Sequence, residues 1–386
     1  MHIAFLLPEY PHSSLGPSGG LGTSTRNLAR ALTHQGVQVT ILVYGQPASA
    51  HFEEDGIAIH ALRTLRFPLA GWYLHRVYIA KEVQKLIVER GVDLVEVPDW
   101  TGISAFMKLD IPVVMRFHGS DTYFCHIEER KQKIKNRIFE YLAARRADAF
   151  IAPSRFAGAV SSKLFRLEKP VKVIPYGLDL AHFQNPDPTD YEPYNVLYLG
   201  TVIRKKGVLE LPRIFRLIRE QVPQSRLLII GADSSDKLTG APSTLKMLFE
   251  MLEPDDRPHV TYAGSMPYAE VRNAIRRAHV CVFPTFAETF GMVTVECMAM
   301  KKAVVNSNIG WANELMVDGE SGLLVNPRDA STFASAVVQL LTDTNRTSRI
   351  GAAAREFVAA HFDSKEVAEA NIAFYKQTLE NGSNRS

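Results

Sequence analysis

A chain of 386 residues exceeds the size at which one hydrophobic core keeps growing, so two domains of about 150–200 residues are expected. Its 46% apolar and 22% charged residues are ordinary for a globular protein and exclude wholesale disorder, and a formal net charge of +3 is too small to argue for nucleic acid. Apolar runs are strand-length only, which excludes a membrane span, and the opening Met1-His-Ile-Ala-Phe-Leu-Leu7 is too short and too uncharged in front for a signal peptide.

In chain order, short apolar runs alternate with helical patterns. The spacing predicts strands near 3–7, 37–44, 92–97, 112–117, 149–152 and 171–174, separated by helices near 24–35, 76–90, 132–146 and 156–165. Strands joined by helices of this length form parallel sheets covered on both faces. A stretch rich in Pro, Asp and Asn, residues 185–193, then breaks the alternation as a linker does. A second series follows, with strands near 196–199, 227–230, 260–263, 280–283 and 303–306, and a last helical segment near 364–379. The expectation is an α/β chain of two doubly wound, Rossmann-like parallel-sheet domains facing across a cleft. An acceptor-side domain covers 1–184 and a donor-side domain 185–362, and the tail 363–386 crosses back onto the first. Ligands of such sheets bind beyond the carboxyl ends of the strands, where most of the unusual residues fall.

At the end of the first strand stands Gly16-Pro-Ser-Gly19-Gly20-Leu-Gly22-Thr23, ahead of a helix that Thr23 or Ser24 can cap. Glycines there let backbone approach an oxygen-rich ligand while helix amides face it; a plain turn is the competing reading. A dinucleotide fingerprint is disfavoured, because its sixth position is Thr25 and the second strand ends in Tyr44-Gly45-Gln46 with no acid. The fourth strand ends in Arg116-Phe-His118-Gly119, which places a histidine to bond a hydroxyl or phosphate, or to serve a purely structural bond. After the linker, Gly200-Thr-Val-Ile-Arg204-Lys205-Lys206-Gly207 sets three cations before a helix. Cations there oppose the helix dipole, so they imply solvent exposure or a bound polyanion such as a diphosphate.

Further on, Glu288-Thr-Phe-Gly291 leads into a helix whose one carboxylate, Glu296, sits among Met292, Val293, Val295 and Met298. A charge on an apolar helix is costly to bury without a partner, so Glu296 either faces a ligand or caps a neighbouring loop. The three cysteines, Cys125, Cys281 and Cys297, lack metal-ligand spacing and read as buried thiols of a reducing compartment, hence a cytoplasmic protein. Charge is uneven: Arg63, Arg66, Arg76 and Lys81 are interleaved with Phe67, Trp72, Tyr73 and Tyr78 without an acid between 61 and 81, and a second basic run covers 130–137. Such runs suit anionic lipid headgroups or an acidic acceptor, or are solvated helix faces.

Together these residues resemble the retaining glycosyltransferases of the GT-B fold, family GT4. The most specific match is Glu288-x7-Glu296 with Thr289-Phe290-Gly291-Met292 between. Support comes from Gly19-Gly20, His118-Gly119, Ala152-Pro153-Ser154, Val173-Ile-Pro-Tyr-Gly177-Leu-Asp179, Lys206-Gly207 and Glu314-Leu-Met-Val-Asp-Gly319-Glu-Ser-Gly322. The runs from His118 to Tyr123-Phe124 and Arg204-Lys-Lys-Gly207 look like those of bacterial surface-polysaccharide enzymes.

The resemblance implies a nucleotide-diphosphate sugar as co-substrate, with no further cofactor and no metal, and a saccharide or lipid-linked hydroxyl acceptor; the basic runs add an expected peripheral contact with the inner face of the membrane. It implies that Lys206 holds the diphosphate, Gly20 with Gly19 a phosphate, and Glu296 the ribose. Glu288 and the amides of Phe290, Gly291 and Met292 would hold the sugar, and His118 would sit near its reacting carbon. One departure is Thr201, where the family often has a phosphate-binding arginine; Arg204 is the candidate substitute. Trp72, Tyr73 and Tyr123 are weak acceptor candidates, and Trp311 either lines the sugar pocket or packs a loop. Two rivals stand: a sugar-nucleotide epimerase on the same architecture, and a nucleotide-sugar-binding protein without turnover.

Overall fold

Every residue of the first strand, β1 (His2–Leu7), is buried. Ile3, Phe5 and Leu7 enter one core and Ala4 and Leu6 another, as a strand covered on both faces requires. The computed structural model describes residues 1–16, 18–66 and 68–383. Pro17 of the glycine loop, Phe67 of the basic-aromatic stretch and residues 384–386 of the tail lie outside them. The chain divides into two compact units, Met1–Leu178 with Ser364–Ser386, and Asp179–Asp363.

The first unit carries β1, β2 (Gln38–Gln46), β3 (Ala50–Glu54), β4 (Ile57–Arg63), β5 (Leu94–Pro98), β6 (Val113–Arg116), β7 (Ala149–Ala152) and β8 (Val171–Val173) in the order β3-β4-β2-β1-β5-β6-β7-β8. All neighbours are parallel except β3 on β4. That antiparallel edge, 50–63, is absent from the expected alternation. Its alternating exposure is of the half-solvated kind, and it follows β2 through a short turn rather than a helix.

The helix Ser364–Ser383 belongs to this unit. It packs along the helix Gly20–His34 and adds Val367, Ala368 and Tyr375 to the core of one sheet face. Under the sheet, Arg116 on β6 meets Glu96 on β5 at 2.6 Å, Asn371 at 2.6 Å and the Tyr375 hydroxyl at 3.2 Å. A buried charge pair needs such extra partners to be tolerated.

The second unit carries β9 (Asn195–Leu199), β10 (Arg226–Ile230), β11 (Val260–Gly264), β12 (Val280–Phe283), β13 (Ala303–Ser307) and β14 (Leu323–Val325), all parallel, in the order β11-β10-β9-β12-β13-β14. β14 is the one strand of this sheet missing from the sequence expectation. With three residues it is too short to leave a periodic signal. The stretch 179–184, expected in the first domain, is fastened here: Arg355 donates to the Phe183 and Ala299 carbonyls, and the Asn185 amide to Met300.

In each sheet the order reverses at one pair, β1/β5 and β9/β12. At both the ladder stops early: β9 pairs β12 only at Val196–Leu197 with Val280–Cys281, while both strands run on. Carboxyl ends that splay at a topological switch point are where open α/β sheets seat ligands.

Candidate active site

In the second unit, the loops after β9 and β12 are stitched together. The Lys205 carbonyl accepts from the amides of Phe286 at 2.8 Å and Ala287 at 3.2 Å. Gly207 makes this approach feasible: its φ is +71°, and a Cβ there would lie 1.8 Å from the Pro284 carbonyl oxygen. The stitching sets Lys206 against Glu288, whose side chains remain 20% and 17% exposed and form an ion pair. Burial would push the Glu288 carboxyl up; the ammonium groups of Lys206 and Lys205 outweigh it and hold the group below the usual carboxylate range.

Past Glu288 the chain turns at Gly291, φ +101°, into the helix Met292–Ala299, whose first turn carries no acidic residue and no side-chain cap. Its leading amides are therefore oriented for an anion or hydroxyl in front of the helix. Glu296 lies one turn in, 5% exposed, and accepts a hydrogen bond from the Tyr268 hydroxyl. Burial pushes its carboxyl up to about 7, against the opposing pull of Tyr268 and Arg272. Trp311 is fully buried with its indole nitrogen behind Gly291, so it packs the loop rather than lining a pocket.

Arg204 is committed elsewhere. Its guanidinium grips Asp236 through two bonds of 2.9 Å, and Asp236, buried and also bonded by Thr239, is held well below the carboxylate range. As a substitute phosphate cation Arg204 would have to surrender that pair. The charge of Lys205, by contrast, acts on Glu288.

In the first unit, Gly19 is the residue before the helix Gly20–His34, and neither Thr23 nor Ser24 caps it. The Glu9 carboxylate does so, accepting from the amides of Gly19 at 2.8 Å and Gly22 at 3.0 Å, while the Ser24 hydroxyl turns back to the Leu21 carbonyl. Glu9 comes from the carboxyl end of β1, within reach of those amides, and a carboxylate accepts more strongly there than a hydroxyl.

His118 follows β6. Its amide donates to Asp99 at 3.0 Å and its Nδ1 lies 2.7 Å from the Tyr176 hydroxyl. Burial, reinforced by the Arg116 charge, drives the imidazole down to about 3, so it is neutral at pH 7. Asp99, 1% exposed, also takes the Gly119 amide, and burial raises its carboxyl to about 7.

Of the acceptor candidates, Trp72 and Tyr73 are 44% and 41% exposed, whereas Tyr123 is fully buried. The helix Asp121–Ile127, started by Ser120 accepting from the Tyr123 amide, turns that ring inward, edge-on to Phe124. Sequence reasoning missed Glu9, Asp99, Asp236 and Tyr268. Asp99 carried the same strand-end signal as His118, while Tyr268 reaches Glu296 across 28 residues and left no local trace.

Two family models cover most of the chain: "Glycosyltransferase Family 4" matches residues 18–182 and "Glycosyl transferases group 1" residues 193–343. The chain belongs to the GT4 glycosyltransferases. Among its relatives is the glycogen synthase of Mycobacterium tuberculosis, 25% identical over 97% of this chain and 94% of that one. Another is a D-inositol 3-phosphate glycosyltransferase of Pseudarthrobacter chlorophenolicus, 27% identical over 90% and 87%. The fold is GT-B. Sucrose-phosphate synthase from Thermosynechococcus elongatus superimposes with a TM-score of 0.81 at 22% identity, over 98% and 99% of the two chains. The Anabaena protein HepE, solved with UDP and glucose, gives 0.76 at 19% identity, over 97% and 99%. In this GT4 member, Glu288 and Glu296 have the E-x7-E spacing.

Proposed function

We propose that this glycosyltransferase moves a hexose from a nucleotide-diphosphate sugar to the hydroxyl of a saccharide or lipid-linked acceptor, with retention of anomeric configuration, in polysaccharide or glycoconjugate synthesis. The observation that carries the reading is the Lys206–Glu288 pair where β9 and β12 splay, with Glu296 one turn into the next helix. A cation beside a carboxylate at helix amides is suited to a ligand that is anionic at one end and hydroxylated at the other. Uridine donors are the first to try, because HepE was solved with UDP-glucose.

In this reading Lys206, helped by Lys205, holds the leaving diphosphate. Glu288 and the amides of Phe290, Gly291 and Met292 hold the sugar hydroxyls, and Glu296 the ribose. From the first unit, Gly20 and His118 keep the roles the family resemblance implies, a phosphate contact and a sugar contact. A neutral His118 donates or accepts a hydrogen bond without adding charge near the oxocarbenium-like carbon.

The bond from the anomeric carbon to the phosphate oxygen breaks, the bond to the acceptor oxygen forms on the same face, and the acceptor's proton passes to the departing phosphate. Stabilising the charge that develops on that phosphate is the protein's main contribution, and the carboxylates orient hydroxyls rather than attack carbon. No step is assigned to a metal or further cofactor. A cytoplasmic location at the inner face of a membrane is part of this reading. Among the described residues no helix is long and apolar enough to cross a membrane.

Thermal-shift screening of nucleotide sugars, followed by product analysis, tests the reading, since a ligand that binds only the native state raises Tm. Transfer predicts nucleoside diphosphate release that depends on acceptor and a product with the donor's anomeric configuration. Release of nucleotide and altered sugar without acceptor would mark the epimerase; binding without consumption would mark a receptor.

A further inference from the structure

The two basic stretches singled out in the sequence converge on one face of the first unit. Trp72, at the start of the helix Gly71–Arg90, stacks on Phe139 of the helix Ile134–Arg146 with ring centroids 5.0 Å apart, and the Lys135 ammonium lies 5.4 Å from the Trp72 ring. The two helices are thereby neighbours. Around this contact stand large apolar side chains left in solvent: Leu69 is 82% exposed, Ile134 76%, Ile138 50% and Leu74 36%, beside the half-exposed Trp72 and Tyr73. On the second helix, residues 134, 138 and 135 fall on one arc, because successive residues turn by about 100°. That arc continues the surface from Trp72.

We propose that this face docks on an anionic lipid surface. Lys131, Lys133, Lys135 and Arg137 are exposed on or just before the second helix, and Arg63 and Arg66 are exposed in the chain that leads to the first. The acids nearby are largely spent. Glu128 and Asp121 are bound by Arg130, and Glu140 is 1% exposed and saturated by the amides of Thr101, Asp121 and Thr122, which leaves Glu129 exposed at the margin.

Lipid fits better than a protein partner, since protein interfaces are depleted in lysine and this rim has three lysines within five residues, at 131, 133 and 135. Tryptophan and tyrosine flanked by cations, with aliphatic side chains projecting beyond them, match the layered polarity of a membrane interface. A lysine or arginine beside an anionic leaflet contributes on the order of fivefold in partitioning, so the cations here act jointly. None of the donor residues belongs to this surface, although Trp72 and Tyr73 are also acceptor candidates; vesicle binding is measured without donor or acceptor, so its failure is distinguishable from a failure of the transferase reading.

The test uses the full chain and sucrose-loaded vesicles of phosphatidylcholine alone or with about one-third phosphatidylglycerol. Of the three tryptophans, Trp311 is buried, so emission changes report on Trp72 and Trp100. The expected result is co-sedimentation at least about tenfold stronger with anionic vesicles, a blue shift of emission on binding, and weakening with added salt. Lys133→Glu, Lys135→Glu and Arg137→Glu together should reduce binding more than about a hundredfold. Leu69→Ser with Ile134→Ser, both at strongly exposed positions, should abolish the blue shift and keep part of the charge-driven attraction.

The control, Arg226→Glu, Lys237→Glu and Arg349→Glu, carries the same charge change on exposed positions of the second unit. Equal binding to neutral vesicles, a control that loses as much, or charge-reversed protein that binds normally would overturn the proposal. So would sedimentation velocity showing a dimer that Leu69→Ser/Ile134→Ser dissociates, since the face would then be a contact between copies. If the charge-reversed protein fails to fold, the salt and lipid dependence of the wild type decides.

Discussion

Replacing Lys206 with alanine removes one ammonium from the leaving diphosphate and one partner from Glu288, and the two losses have different sizes. Deleting a single preorganised donor to developing negative charge costs about 2.7–4 kcal/mol, or a hundred- to a thousandfold in turnover. Folding loses less. A fully buried carboxylate stripped of its partner costs about 3–5 kcal/mol, but Glu288 keeps 17% exposure, the charge of Lys205 and the amide of Thr289 at 3.2 Å. A cost of about 1–2 kcal/mol is expected, which for a unit of this size lowers Tm by roughly 3–6 °C.

The pH dependence gives an independent sign. The native Glu288 carboxyl lies below its ordinary value of 4.5, so the stability it confers is present above that pH and lost as pH falls through its folded value. Without Lys206 the largest part of that support is gone. The difference in Tm between wild type and variant should therefore be largest near pH 7 and shrink toward pH 4. Steady-state transfer kinetics and paired melting curves measure both. Full turnover in Lys206→Ala, a stability loss as large as the kinetic loss, or a Tm gap that widens in acid would refute the reasoning.

Other expectations follow from the same geometry. Glu296, raised to about 7 by burial, is most stable when protonated: its contribution is complete below 4.5 and is lost as pH rises through 7. Glu296→Gln should thus be spared the fall in Tm expected of the wild type between about pH 4.5 and 7, and should bind donor about ten- to a hundredfold more weakly, as calorimetry can establish. Arg116→Met leaves Glu96 buried without its cation and should lower stability by about 3–5 kcal/mol in urea titrations, with Glu96→Gln recovering part of it. Glu9→Ala removes the carboxylate that holds the Gly19 and Gly22 amides, and should cost about 0.5–2 kcal/mol by thermal melting.

The central strands were legible because each is buried on both faces and reads as an unbroken apolar run; β1, β9 and β12 are of this kind. The hairpin β3–β4 and the three-residue β14 were not, since an exposed edge and a short strand leave little periodicity. The E-x7-E carboxylates and Lys206 showed themselves as charges out of place on apolar or dipole-opposed segments. Their partners did not. Asp236 reaches Arg204 over 32 residues and Tyr268 reaches Glu296 over 28, and pairing of that kind depends on tertiary packing that no local pattern encodes. The glycine loop shows the same limit: its composition announced a helix start, yet the cap is Glu9, ten residues before Gly19.

The measurement that bears most directly on the account is a structure determined with whichever nucleotide-diphosphate sugar raises Tm. The account predicts a diphosphate oxygen within hydrogen-bonding distance of the Lys206 ammonium, sugar hydroxyls on Glu288 and ribose hydroxyls on Glu296 in place of Tyr268. Donor bound elsewhere, with those three side chains still engaged only with their present partners, would contradict it.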